Sequence, residues 1–353
     1  MSKRFRLTKA SKILIVFLIV ALIGGGVFAA HAENEIRELA DLMQIPVITT
    51  MMGISVFPDD DQLFCGMIGT HGVKMANAAV NECDVLFLVG ARVGDRAVKT
   101  PLALEKTTKI IHIDIDPAEI GKNIGADLPL VGDAKLVLQQ MTELAKPMKH
   151  DEWIAHIKTL GGERKYVEPA KGTVNPRVFI DRLAKKMPAN VTVVADVGQN
   201  QIWTCTEYKF RKEGRLLTSG GMGTMGYSVP AAIGAKMADN SRATVAICGD
   251  GAFQMSFMEL ATAVQFGVDI KVVVMTNNRL GMVRELQTNG YHDRQTAVFL
   301  DGSPDFIKLA EAYGIPAMRV YDDDTMEKGV EMLAEHKGIC LVEVVVDKDM
   351  PTL

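Results

Sequence analysis

Short, uninterrupted apolar runs alternate with stretches of helical periodicity along nearly all of the chain. The runs Pro46–Thr50, Asp84–Val89, Lys109–Ile115, Val191–Ala195, Thr244–Cys248, Ile270–Thr276 and Cys340–Val346 predict strands. They are continuous rather than alternating, so both faces are buried, as in parallel sheets flanked by helices. Helical spacing predicts helices over Val73–Asn81, Ala134–Ala145, Pro176–Lys186, Pro230–Ala238, Phe253–Phe266, Pro304–Tyr313 and Thr325–His336. The stretch from Lys146 to Asn175 breaks this rhythm. It is polar, holds Gly161, Gly162, Pro169 and Gly172, and carries no strand pattern, which predicts a linker. The expected fold class is α/β, with two doubly wound parallel-sheet domains over residues 1–145 and 176–353, joined by 146–175.

The N-terminus admits two readings. Lys3, Arg4, Arg6, Lys9 and Lys12 precede the apolar run Ile13–Ile23, and Ala30-His31-Ala32 follows, which is the layout of an export signal. The same run also reads as a buried strand that turns at Gly24-Gly25-Gly26 into a helix starting near Glu33, with Ile36, Leu39, Ala40 and Met43 on one face. It is too short for a membrane span.

Composition changes this picture little. With 48% hydrophobic and 23% charged residues the chain is ordinary for a globular enzyme, and 353 residues suggest about two domains. A net charge of −4 offers no basic surface for nucleic acid. Five scattered cysteines without metal-ligand spacing read as reduced thiols, which points to the cytoplasm.

The chemistry concentrates at two predicted strand ends. Gly249-Asp250-Gly251 follows one buried strand directly, and Asn277-Asn278 closes the next, 27 residues after Asp250. In a right-handed β-α-β unit this puts a carboxylate and an amide oxygen on the ligand-binding edge of a parallel sheet. Two such oxygens can share a hard octahedral cation such as magnesium, which readily takes further oxygens from a diphosphate. The N–H groups of Gly251, Ala252 and Phe253 would open the helix and favour an anion. Gly249 and Gly251 remove side chains from its approach. The spacing matches the thiamine-diphosphate motif.

Longer stretches carry a specific resemblance. Gly249 through Val264, Asn277 through Arg284, Thr218 through Tyr227 and Asp196 through Gln199 together resemble the acetolactate synthase family. That resemblance runs from about Ile13 to Asp347. It implies that Asp250, Asn277 and the backbone oxygen of Arg279 hold Mg2+, and that Val197, Gly198, Gln199, Gly251 and Ala252 contact the diphosphate of thiamine diphosphate. Met225 would sit beneath the cofactor and bend it, the Gly223 carbonyl would accept from the aminopyrimidine, and Met282 and Val283 would cover the thiazolium. Met225 and Met282 are thus the residues placed nearest the reaction, although methionines otherwise fill gaps in cores.

The first domain resembles that family's FAD-binding middle domain through Gly66–Gly72, Gly90–Arg96 and Ile113–Asn123. Flavin-contacting positions then fall on Gly25, Gly26, His71, Gly72, Gly90, Ala91, Arg92, Asp95, Arg96, Asp114, Asp133 and Ala134. Arg92 and Arg96 can pair with phosphates, or with surface carboxylates as an ordinary salt bridge. The resemblance also decides the N-terminus in favour of the strand. It further implies pyruvate and a second 2-keto acid as substrates, in valine, leucine and isoleucine biosynthesis.

Five departures qualify this expectation. The family's N-terminal pyrimidine-binding domain, with its activating glutamate, has no counterpart in these residues, and the C-terminal arm is short. The complementary half of the site would come from a homo-oligomer or a separate polypeptide, and a regulatory small subunit is a further implied partner. Asn200 stands where the family often has histidine, Thr276 replaces the first asparagine of a pair, and Leu286 replaces a tryptophan that favours 2-ketobutyrate. A non-catalytic cofactor-binding fragment and another thiamine-diphosphate decarboxylase or carboligase are the alternative readings.

Overall fold

The computed structural model describes residues 18–162 and 166–353. The chain forms two compact units, Met1–Arg164 and Lys165–Leu353.

The first unit is built on β1 (Ile19–Ile23), β2 (Val47–Thr49), β3 (Phe64–Met67), β4 (Val85–Val89), β5 (Lys109–Asp114) and β6 (Leu128–Val131). All pairings are parallel, in the order β3-β2-β1-β4-β5-β6. This is the strand order of dinucleotide-binding sheets, with its reversal between β1 and β4. Helices α1 (Gly26–Ala29), α2 (Glu33–Met43), α3 (Lys74–Glu82), α4 (Pro101–Glu105), α5 (Ala134–Leu144) and α6 (Asp151–Thr159) cover it. Ile36, Leu39 and Ala40 turn the buried face of α2 to one side of the sheet, while Trp153 and Ile157 of α6 pack on the other.

The second unit is built on β7 (Val191–Ala195), β8 (Arg215–Thr218), β9 (Ala243–Gly249), β10 (Lys271–Thr276), β11 (Ala317–Val320) and β12 (Cys340–Val345). It too is wholly parallel, in the order β11-β12-β10-β9-β7-β8. Its helices are α7 (Pro176–Lys186), α8 (Gln199–Glu207), α9 (Ser228–Ala238), α10 (Asp250–Phe253), α11 (Leu260–Gln265), α12 (Gly281–Gly290), α13 (Phe306–Ala312) and α14 (Asp323–Glu335). Phe253 packs edge-on against Phe306 at 5.4 Å in its core. The expected α/β class with two doubly wound parallel sheets is what the chain adopts.

Two local differences from the sequence pattern have physical causes. The expected helix Phe253–Phe266 is broken into α10, a 3-10 turn at Phe257–Glu259, and α11, because Ser256 leaves helical geometry (φ −144°, ψ 7°). The polar stretch 146–175 contains α6, held by the Trp153 indole N–H donating to the Ile19 carbonyl at 3.1 Å. The apolar run near the N-terminus is a central strand from Ile19, paired on both sides. Residues 13–17 of the run, and the basic residues before them, lie outside the described residues. Ala30-His31-Ala32 is the turn between α1 and α2, with Ala32 fully buried. Among the described residues no helix is long and apolar enough to cross a membrane. All five cysteines are buried and none forms a disulfide, and burial pushes the Cys65 and Cys205 thiols up to about 12.

Candidate functional site

Strands β7 and β9 are neighbours in the second sheet, yet their connections leave on opposite sides. That is the topological switch point, where doubly wound sheets bind ligands. A pocket of about 550 Å3, with its open mouth included, occupies this place. Val197, Gly198, Gln199 and Asn200 line it after β7, Gly249 to Ala252 after β9, and Asn277, Arg279 and Leu280 after β10. Met225, Met282 and Val283 form its apolar side.

The polar end is organised by Asp250, which is 2% exposed. Its Oδ1 accepts from the Gly251 N–H at 2.8 Å, and its Oδ2 from the Asn277 and Asn278 N–H groups at 3.1 and 2.6 Å. Burial pushes this carboxyl up to about 6; the three backbone donors act against that rise, and Glu343 adds to it. A carboxylate has about four acceptor positions, so three donors leave room for a cation.

Asn277 faces the same pocket. Its Oδ1 accepts from the Arg279 N–H at 3.1 Å and its Nδ2 donates to Gln199 Oε1 at 3.1 Å. The loop carrying it is pinned by Leu280 N–H to the Val298 carbonyl at 2.9 Å and Leu300 N–H to the Asn278 carbonyl at 3.0 Å. Arg279 faces Phe299 as the non-hydrogen-bonded pair of that bridge, so its own carbonyl is not used there. Its guanidinium turns outward to Asp301 and lies 4.6 Å from the Phe299 ring. The Arg279 guanidinium is thus engaged by Asp301 and Phe299 rather than by Asp250 or Asn277.

These donors suit a hard cation. Among the described residues no three His, Cys, Asp or Glu side chains converge. One carboxylate with amide and backbone oxygens is the donor set magnesium takes when a phosphate and waters complete its shell. A Cβ on Gly251 would stand 2.9 Å from Leu280, 3.2 Å from Leu300 and 3.3 Å from Met225, so glycine keeps this corner open. The expectation for its N–H changes: Asp250 already takes it.

Most expected site residues meet in this pocket: Val197, Gly198, Gln199, Met225, Asp250, Gly251, Ala252, Asn277, Arg279, Met282 and Val283. Gly223 does not line it; it sits in an exposed turn at φ +68°, its N–H bonded to the Ser219 carbonyl. Asn200, Trp203, Met275, Leu280 and Gly281 line the pocket in addition. Asn200 gives both amide protons to carbonyls, Asp196 at 2.8 Å and Ile247 at 3.2 Å. The Thr276 hydroxyl is buried without a partner, and Leu286 is largely exposed.

The first sheet gathers the other expected set. Gly25 and Gly26 follow β1, His71 and Gly72 follow β3, Gly90 to Arg96 follow β4, Asp114 ends β5, and Asp133 and Ala134 follow β6. All lie at one edge. At the switch point the backbones touch: a Cβ on Gly24 would stand 2.0 Å from the Gly90 carbonyl oxygen. Asp133 caps α5 through the Leu136 N–H at 3.1 Å, and Asp114 accepts from the Asp116 N–H at 3.0 Å. Arg92 and Arg96 are exposed and form no ion pair among the described residues. No carboxylate among the described residues thus engages either guanidinium at this edge.

Residues 196–344 match the family described as thiamine pyrophosphate enzyme, C-terminal TPP binding domain, and residues 7–141 match its central domain. The chain is 40% identical over 339 residues to a probable acetolactate synthase large subunit of Methanocaldococcus jannaschii, covering 93% of this chain and 57% of that protein. It is 35% identical over 331 residues to the acetolactate synthase large subunit of Lactococcus lactis subsp. lactis, with coverages of 93% and 57%. It is 39% identical over 342 residues to an acetolactate synthase of Arthrospira platensis, with coverages of 93% and 58%. The chain thus spans a little over half the length of these relatives.

Proposed function

Because the chain belongs to the thiamine pyrophosphate enzyme family, we propose that its second unit holds magnesium and thiamine diphosphate for acetolactate synthesis. The observation that carries this reading is the placement of the Asp250 carboxylate and the Asn277 amide at the ends of adjacent strands, in one pocket with an apolar side. Asp250, Asn277 and the Arg279 carbonyl would hold the cation. Val197 to Gln199 and Gly251 to Ala252 would surround the diphosphate. Met225, Met282 and Val283 would pack on the rest of the molecule and exclude water.

When bound, thiamine diphosphate supplies the electron sink that lets a 2-keto acid lose carbon dioxide and react as a carbanion equivalent. The protein's share is to bind, orient and desolvate. The proposed substrates are pyruvate and a second 2-keto acid, and the proposed product is 2-acetolactate or 2-aceto-2-hydroxybutyrate, on the way to branched-chain amino acids. The matched relatives are longer than the part aligned here, so the activity is proposed for a complete assembly, in a homo-oligomer or with further polypeptides. Leu286 is exposed beside the pocket-lining stretch of α12, where the family's tryptophan favours 2-ketobutyrate, so both pyruvate and 2-ketobutyrate stand as acceptors in this reading. FAD is proposed for the first unit, with Arg92 and Arg96 on its phosphates.

Supplying pyruvate to the complete assembly and measuring products tests the reading. Acetolactate in step with carbon dioxide release is the expected result. Free acetaldehyde in its place would mean a different thiamine-dependent decarboxylase, and no pyruvate consumption would mean a cofactor-binding role alone.

A further inference from the structure

We infer that Asp196 is a positioning residue: its carboxylate fixes the loop that carries Met225, and so gives the pocket its grip on the organic part of the ligand. This rests on the reading that the pocket takes magnesium and thiamine diphosphate. Asp196 follows β7 directly, is 0% exposed, and does not line the pocket. It therefore acts through other groups.

Its carboxylate is filled by backbone donors. Oδ1 accepts from Val197 N–H at 2.8 Å and Gly226 N–H at 3.0 Å, and Oδ2 from Ser228 N–H at 2.7 Å. The Asp196 backbone is itself anchored, its N–H donating to the Ile247 carbonyl of β9 at 2.8 Å. Among the described residues no lysine or arginine forms an ion pair with it. A buried carboxylate without a cation persists only where such donors replace water. The arrangement repeats that of Asp250 one strand away, where three backbone N–H groups also converge on a carboxylate at a strand end. One aspartate orders the polar end, the other the loop on the apolar side.

The loop needs that anchor. Residues Gly221 to Thr224 are exposed, Met222 at 89%, and its own hydrogen bonds are local, from Gly223 and Thr224 back to Ser219. Met225 is the loop residue that turns into the pocket, and Gly226 beside it has φ +84°. The two donors that Asp196 holds, Gly226 and Ser228, bracket the start of α9 just after Met225. Releasing them would free the methionine while leaving Asp250, Asn277 and their loops untouched.

Asp196→Asn tests this, because it replaces one acceptor oxygen with an NH2 that faces a backbone N–H. Calorimetric titration of the full chain with magnesium pyrophosphate reads the polar end alone; magnesium thiamine diphosphate reads both ends. The expected result is thiamine diphosphate affinity lowered about tenfold, as loss of a charge-assisted hydrogen bond allows, with a clearly smaller loss for pyrophosphate, which feels only the Val197 N–H that the same carboxylate holds. Amide exchange at Gly226 and Ser228 should rise about as much. Equal weakening of both ligands would overturn the inference, as would no weakening of either. A wild-type chain that binds neither ligand would overturn the pocket reading itself, and the inference with it. If Asp196→Asn does not fold, exchange in the wild type decides: Gly226 and Ser228 amides as fast as that of Met222 would contradict the anchor.

Discussion

Gln199 and Asn277 are joined across a residue that has no side chain. Asn277 Nδ2 donates to Gln199 Oε1 at 3.1 Å, and a Cβ added to Gly281 would stand 1.9 Å from that same oxygen. Gln199 Nε2 in turn donates to the Met350 carbonyl at 2.9 Å and to Thr352 Oγ1 at 3.2 Å. One buried glutamine thus ties the amide proposed for the cation to the segment Met350–Thr352, an arrangement that fixes a ligand's orientation from behind.

Gly281→Ala should therefore displace Gln199. The expected cost is about 1–3 kcal/mol of stability, the range of overpacked sites, with weaker binding of magnesium thiamine diphosphate. Thermal unfolding and titration measure the two effects. Adding Gln199→Ala should recover part of the stability, since the clash is with that side chain. A single variant with wild-type stability and affinity would show that Gln199 can leave without consequence.

Arg92 and Arg96 give the test of the first unit. Each Arg→Ala change should lower FAD affinity about tenfold, the effect of losing a charge-assisted contact to phosphate. Wild-type FAD affinity should fall as salt rises. Quenching of flavin fluorescence reads both, and magnesium thiamine diphosphate binding should not move. Flavin binding insensitive to both substitutions would remove these arginines from the site.

Two histidines should make the first unit acid-sensitive. Burial lowers the pKa of His112, against Asp114, the Ala91 backbone and Glu119, and burial lowers that of His150, against Asp151. Neither ring nitrogen of His150 has a partner. A histidine depressed in the folded state protonates more readily once unfolded. Its contribution is whole above the ordinary value of about 6.5 and is lost as pH falls through the depressed one. The unfolding midpoint should drop between neutral and mildly acidic pH, and His112→Phe with His150→Leu should flatten that drop. A double variant as acid-sensitive as the wild type would place the cause elsewhere.

The strands visible in the amino-acid pattern were the interior ones. The four without a clear signal, Phe64–Met67, Leu128–Val131, Arg215–Thr218 and Ala317–Val320, are the four edge strands of the two sheets. An edge strand meets solvent, so it tolerates Pro129, Arg215 and Arg319 and lacks the continuous Val/Ile run of a strand covered on both faces. Helix α8 escaped for the opposite reason. Gln199 to Glu207 reads as polar, yet all nine residues are buried, their side chains satisfied internally, as Gln201 is by Thr218 at 2.7 Å. In the pocket, Asp250 and Asn277 were legible because strand ends announce them. The Gln199–Asn277 bond and the donors of Asp196 join residues far apart in sequence, and no local pattern records them. Gly223 entered through the family resemblance alone; it lies in the exposed turn two residues before Met225, outside the pocket lining.

The central claim is that Asp250 and Asn277 hold a cation that in turn holds a diphosphate. The most direct measurement is calorimetric titration of thiamine diphosphate into the full chain, with magnesium and with excess chelator, in the wild type, Asp250→Ala and Asn277→Ala. Saturable binding that needs magnesium and is lost in Asp250→Ala, and weakened at least about tenfold in Asn277→Ala, is the predicted result. Binding that survives chelation, or that survives the loss of Asp250, would contradict it.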